Sequence, residues 1–160
     1  MRILIVSDTH GNDRNFERVM MRTYPVDMIF HLGDLEGSEI YFEDICPCPI
    51  HMVSGNNDFF SPAPPEQVVE IEGHRIFMTH GHRYSVAYGL EKIKEAAKAR
   101  QCDLAFFGHT HRPMIDEDDE VIVVNPGSLT YPRQMDRKAS YVIMEVDSDG
   151  NTKFAINYVE

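Results

Sequence analysis

Apolar positions come in short runs, and each run is closed by polar residues of an unusual kind. Residues 2–7 are apolar on both faces of an extended segment, so the first strand is expected at the centre of a sheet. A helix over 13–23 is expected next, capped by Asn12, with Phe16, Val19, Met20 and Tyr24 on one stripe and Pro25 ending it. A strand at 27–32, a short helix from Ser38 through Ile45, and a strand at 50–53 after Pro47 and Pro49 complete a βαβαβ order. That order is the signature of a parallel sheet with right-handed crossovers. The pattern then changes. Residues 67–72 and 74–79 read as a hairpin about Glu72-Gly73. A helix near 86–100 carries Leu90, Ile93, Ala96 and Ala97 at helical spacing. A strand at 103–107, a hairpin from 113–115 to 121–124 through the acidic turn Asp116–Glu120, and closing strands near 140–147 and 152–159 follow. The expected fold is α/β: a parallel half and a largely antiparallel half forming two packed sheets with helices outside, one domain over 1–160.

Composition narrows the function. A chain of 160 residues, 42% hydrophobic and 26% charged, can bury a core without disulfides. The formal net charge of −11 argues against stable nucleic-acid binding, which needs basic stripes. An anionic substrate must then be captured by local positive charge, which metal ions would supply. Three cysteines make no disulfide framework, and Cys46-Pro47-Cys48 has no second Cys/His pair beside it, so reduced thiols are expected. No signal segment precedes Asp8, and no apolar run approaches the roughly 18–20 residues that cross a bilayer. A soluble, cytoplasmic protein without membrane association is expected.

The candidate chemistry lies where the apolar runs stop. Asp8-Thr9-His10, Gly33-Asp34, Gly55-Asn56-Asn57-Asp58, His80-Gly81-His82 and Gly108-His109-Thr110-His111 each follow one of five such runs. Ligand sites in open α/β sheets form beyond the carboxyl ends of strands, so the five clusters read as one site. His109 and His111 cannot point the same way from an extended backbone. They serve two neighbouring ions, or one if the loop curls. Asp8, His10, Asp34, Asn56, His80, His109 and His111 mix carboxylate, imidazole and amide, which suits Mn²⁺, Fe²⁺, Zn²⁺, Co²⁺ or Ni²⁺ better than Ca²⁺ or Cu⁺. Seven ligands are too many for one tetrahedral ion and suit two ions sharing a carboxylate.

These motifs, in this order and followed by Asn125-Pro126-Gly127-Ser128, resemble the calcineurin-like metallophosphoesterases, in particular the small bacterial and archaeal phosphodiesterase branch. The resemblance spans essentially the whole chain. It implies a β-sandwich flanked by helices on both outer faces and two divalent ions, Mn²⁺ foremost. Asp8, His10 and His111 would hold one ion, Asn56, His80 and His109 the other, with Asp34 bridging. It further implies a metal-dependent phosphoric ester hydrolase, in which a metal-bound hydroxide attacks a phosphodiester in line.

One departure matters. Many members carry a histidine, thought to protonate the leaving group, where this chain has Asn57, and an amide is no general acid near neutral pH. Either His82 supplies the proton or the leaving group needs little help, which favours activated phosphodiesters over alkyl monoesters. Asn57, His82 and Arg133 are the expected substrate contacts, with Arg112 a further phosphate-pairing candidate. Asp58 is expected to orient its loop by hydrogen bonds, His31 to pack behind the site, His51 and His74 to be structural or at the surface, and Ser128 to belong to the Gly127 turn. Two rival functions remain: a non-catalytic protein-binding scaffold, since one retromer subunit has this fold without working as an enzyme and lacks part of the histidine set, and a phosphomonoesterase or nucleotidase. The expected partner is a small phosphodiester. Homo-oligomer formation is left open.

Overall fold

A computed structural model describes residues 1–118 and 120–160. The chain runs β1 (Arg2–Val6), α1 (Arg14–Thr23), β2 (Met28–His31), α2 (Glu39–Ile45), β3 (Ile50–Met52), β4 (Glu66–Ile71), β5 (His74–Thr79), a 3-10 turn (His82–Tyr84), α3 (Glu91–Ala99), β6 (Leu104–Phe106), β7 (Pro113–Asp116), β8 (Ile122–Pro126), β9 (Ser140–Val146) and β10 (Thr152–Tyr158). Two five-stranded sheets result, ordered β10-β9-β1-β2-β3 and β4-β5-β6-β8-β7.

Strand periodicity explains the layers. Ile3 and Ile5 point between the sheets to meet Phe30, Phe106, Val142 and Met144, while Leu4 and Val6 point the other way onto Phe16 and Val19 of α1 and Phe42 of α2. On the second sheet Leu104 and Phe106 face the shared core, and Ala105 packs outward with Ile93, Ala96 and Ala97 of α3. Both sheets are mixed, and helices cover both outer faces. β1 is central, parallel to β2 and antiparallel to β9. The Glu72-Gly73 hairpin forms with φ of 49° and 84°, the left-handed pair a two-residue turn requires.

Several boundaries depart from the pattern-based reading. Asp13, not Asn12, starts α1, and its carboxylate accepts from the Ser38 hydroxyl at 2.8 Å. Tyr24 is 64% exposed and leaves the helical stripe, because the residue before a proline is forced out of the helical region; Thr23 is buried in its place. α3 begins only at Glu91, since Ser85 (φ 52°) and Gly89 (φ 152°) interrupt the expected helix. The second half is less antiparallel than expected: β5-β6 and β6-β8 are parallel. The acidic turn Asp116–Glu120 includes position 119, which lies outside the described residues. Within it, Asp116 accepts from the Asp118 amide at 3.0 Å.

His74 and Asp103 fasten the second sheet to the β9–β10 turn. The His74 ring donates from Nδ1 to Asp103 and from Nε2 to the Gly150 carbonyl at 2.7 Å, while Asp103 also accepts from the Arg75 amide. Burial opposes charge on this ring, but the two acceptors hold its pKa above the ordinary histidine value. A raised folded pKa gives stability that is complete below the unfolded value near 6.5 and is lost as pH rises through the folded pKa. The loss of urea midpoint caused by His74→Gln should therefore be largest below about pH 6.5 and shrink above it. A loss that is independent of pH would contradict the charged pairing.

Candidate metal centre

Five loops at the strand ends assemble the cluster, and their backbones are turned to do it. Asp8, His10, Asp34, His109 and His111 all have φ between 50° and 67°. Such left-handed residues cost on the order of 1–3 kcal/mol each and persist where the surroundings over-determine them. Here the turn brings Asp8 and His10 to one centre. Close backbone approach does the rest. A Cβ on Gly55 would strike the Asp34 carboxylate, and one on Gly108 would strike the Ser7 hydroxyl and lie 2.7 Å from Asp8 Oδ2.

Asp8, His10, Asp34 and His111 bring one ligand atom each to within 4.8 Å of one another. His111 Nδ1 donates to the Tyr131 carbonyl at 2.7 Å, and His10 Nδ1 approaches Glu36 Oε1 at 3.4 Å. A carbonyl can only accept, so the proton of His111 sits on Nδ1 and its Nε2 presents a lone pair inward. The inward Nε2 atoms of His10 and His111 lie 3.2 Å apart, and that of His111 lies 3.0 Å from Asp8 Oδ1. His80 repeats the arrangement: Nδ1 donates to the Leu32 carbonyl at 2.7 Å, while Nε2 faces Asp34 Oδ2 at 3.4 Å and Asp8 Oδ1 at 3.8 Å. Asp8 Oδ1 and His80 Nε2 are buried without a hydrogen bond. Lone pairs and carboxylates converging in a buried space repel unless a cation lies among them. The donor set therefore fits a metal ion.

The local charges agree. Burial would raise both aspartates, yet the surrounding histidines hold Asp8 below the ordinary carboxylate value, and His80 with the Asn57 donors holds Asp34 below it. Burial would lower His80, but Asp34 and Asp8 keep it above its usual value, so the carboxylates favour a positive charge at Nε2, which a proton supplies without an ion and a metal would supply in its place.

Beside this cluster the remaining candidate residues are grouped more loosely. His109 Nδ1 and Asn56 Oδ1 are 3.0 Å apart, and the His80 and His109 rings are 5.2 Å apart. The HxH loop curls, yet its two histidines part: His111 joins Asp8 and His10, while His109 turns toward Asn56. Asp34 lies between the groups. Asn57 grips it with both donors, its amide N–H to Oδ1 at 2.9 Å and its side-chain Nδ2 to Oδ2 at 2.8 Å. Asp58 orders this loop, accepting from the Asp34, Glu36 and Gly55 amides at 2.7 Å each. His82 sits on the rim, its ring 5.6 Å from His80 and 6.0 Å from His109, with Nδ1 buried and unbonded. Burial, with His80 and His109 nearby, keeps its pKa below the ordinary value, so near neutral pH the ring is uncharged. Arg133 is exposed, and its amide donates to the His111 carbonyl at 2.9 Å.

Behind the cluster, His31 is fully buried, accepts from the Gly33 amide and faces Thr9 Oγ1 at 3.1 Å; burial pushes its pKa down to about 3. His51 stacks on Phe30 at 5.4 Å, away from the site. Ser128 does more than close a turn: its hydroxyl donates to the Asp8 carbonyl and accepts from the Thr130 and Tyr131 amides. Cys46 and Cys48 pack against the helix-side core, and burial pushes the Cys46 thiol up to about 12, so by itself it stays a protonated thiol. Sequence reasoning missed Glu36, whose only signal is its place two residues after Asp34. Asn125, named by that reasoning only as part of a motif, donates to the Gly108 carbonyl and Thr110 hydroxyl and fixes the histidine loop. The Leu32 and Tyr131 carbonyls that orient two histidines carry no side-chain signature at all.

Comparison with known proteins bears on this arrangement. The family described as calcineurin-like phosphoesterase superfamily domain matches residues 1–149. A probable metallophosphoesterase of Methanothermobacter thermautotrophicus is 32% identical over 93% of this chain and 88% of its own length. A protein named a phosphodiesterase from Methanocaldococcus jannaschii is 30% identical over 79% of the chain and 83% of its own. A predicted phosphoesterase from Streptococcus pneumoniae superposes with a TM-score of 0.80 at 28% identity, covering 98% of this chain and 97% of that one. Vps29 of Entamoeba histolytica, solved with Zn²⁺, has a TM-score of 0.76 at 22% identity over 99% of each chain, a likeness of fold. With the model match running through all five clusters, the chain belongs to the calcineurin-like phosphoesterase superfamily.

Proposed function

We propose that the protein is a dinuclear metal-dependent phosphodiesterase acting on a small phosphodiester. The observation that carries this reading is the convergence of inward lone pairs: His10 and His111 Nε2 at 3.2 Å, beside Asp8 Oδ1 and His80 Nε2, which are buried and unbonded. Asp8, His10 and His111 would hold one ion, Asn56, His80 and His109 the other, with Asp34 shared. The set is borderline-hard, so Mn²⁺ is the first choice, with Zn²⁺, Fe²⁺, Ni²⁺ or Co²⁺ as substitutes. Two such ions supply positive charge for the phosphate and lower the pKa of water.

The protein's own groups do the positioning. Asn57 fixes both oxygens of Asp34, so its amide is engaged in holding the shared carboxylate and brings no proton to the reaction. His82 borders the His80–His109 side and, uncharged near neutral pH, offers a hydrogen bond to substrate and little acid catalysis. Arg133 pairs with phosphate oxygens. The absence of a ready acid in these positions favours esters with good leaving groups. The acidic surface disfavours polynucleotides. Reduced cysteines suit the cytoplasm.

A scaffold reading draws on one observation. Phe59 and Phe60, next to the Asn56–Asp58 loop, are 78% and 105% exposed, as a partner-binding surface would be. A single assay separates the readings. Chelator-stripped protein should regain cleavage of bis-p-nitrophenyl phosphate on addition of Mn²⁺ and act little on the matching monoester. Asn57→His should narrow the gap between activated and unactivated diesters. Preference for the monoester would contradict the reading of Asn57, and bound metal without cleavage of either ester would favour the scaffold.

A further inference from the structure

Beside the metal centre runs a groove whose charge is opposite to that of the whole protein. One part, of about 390 Å³, begins at His109 and has Val86, Phe107 and Met114 as apolar wall, with Arg112 and Arg133 along it. The adjoining part, of about 590 Å³, shares those two arginines and adds Arg137, Thr130 and Tyr131. Tyr131 lies at the site itself: its carbonyl holds His111, and its ring meets His10 edge-on at 5.2 Å. Arg112 directly follows His111, and Arg133 is tied to it through the backbone. The two parts meet at Arg112 and Arg133, on the His109–His111 side of the site.

Among the described residues the guanidinium groups of Arg112, Arg133 and Arg137 have no carboxylate partner, whereas Arg22 and Arg100 face Glu160 at 3.4 Å and Glu66 at 2.6 Å. Single exposed arginines are ordinary. Three that line one groove, in a chain of formal net charge −11, form a local anion-binding surface separate from the metal ligands. One phosphate at the metal centre does not account for a path that extends past Arg133 to Arg137.

We propose that the substrate carries a second phosphate, a terminal monoester joined through an apolar body to the scissile diester, and that Arg112 and Arg137 hold it, with Arg133 between it and the scissile phosphate. This deepens the phosphodiesterase reading and rests on it. The apolar wall takes a nucleoside-like body, and the volumes suit a small molecule. The phosphorylated dinucleotides are the class with this layout.

The test is calorimetric binding by the full chain stripped of metal, so that the arginines are read apart from catalysis. The probes are a thymidine dinucleotide without a terminal phosphate and the same molecule phosphorylated at its 5′ or its 3′ end. At least one phosphorylated form should bind about tenfold tighter than the unphosphorylated one. Arg112→Gln combined with Arg137→Gln should abolish that gain. Arg22→Gln, which removes the same charge elsewhere, should keep it. Equal affinities for all three probes, or a gain that survives the double substitution, would overturn the proposal. So would affinity that keeps rising for an oligothymidylate of about eight nucleotides, which would point to a polynucleotide. None of these outcomes bears on metal-restored cleavage of bis-p-nitrophenyl phosphate, so failure of this proposal is distinct from failure of the phosphodiesterase reading.

Discussion

The structure depends on one electrostatic constraint: electron pairs from several buried side chains are made to face one another. His80 and His111 spend their Nδ1 protons on backbone carbonyls, which turns Nε2 toward Asp8 and Asp34. Histidine–carboxylate attraction offsets part of the cost, but Asp8 Oδ1 and His80 Nε2 are still left buried without a hydrogen bond. Left-handed residues, glycines in close contact, and Asp58 collecting three amides all serve to keep it from relaxing. The sandwich supplies the rigidity. Its inter-sheet core, with Phe30 and Phe106 edge-to-face at 5.6 Å, sets the strand ends from which the loops leave.

Much of this was legible in the residues, and the failures have physical causes. The doubly apolar β1 marked itself as central because both its faces are covered, one by the other sheet and one by helices. The metal-competent side chains were legible because each follows an apolar run. What periodicity could not show was conformation against the trend. Ser85 and Gly89 break a helical pattern through backbone dihedrals, and Tyr24 follows the constraint of the next proline rather than its own place on the stripe. The parallel pairing of β5, β6 and β8 is a tertiary choice with no local mark. In the site, the orienting carbonyls of Leu32 and Tyr131 are invisible to any reading of side chains. Asn57 was legible as a departure from a family pattern, but its grip on both oxygens of Asp34 needed coordinates.

Membership of the calcineurin-like phosphoesterases and the geometry together support the function proposed above. The family supplies ester hydrolysis as the broad chemistry. The particular residues narrow it: no ready general acid at position 57, an uncharged His82 on the rim, and an arginine-lined groove leading away from His109. These features point in one direction, toward a small substrate whose leaving group departs easily and whose charge is met by the metal centre and by arginines.

The central claim is that the converging side chains exist to hold two ions. Elemental analysis of the purified chain, loaded with Mn²⁺ and dialysed free of excess, tests it most directly. Two equivalents per chain are the result this account requires. One equivalent would leave Asn56 and His109 outside any metal centre and contradict the dinuclear reading, and none would remove the reason for the buried, unbonded Asp8 and His80.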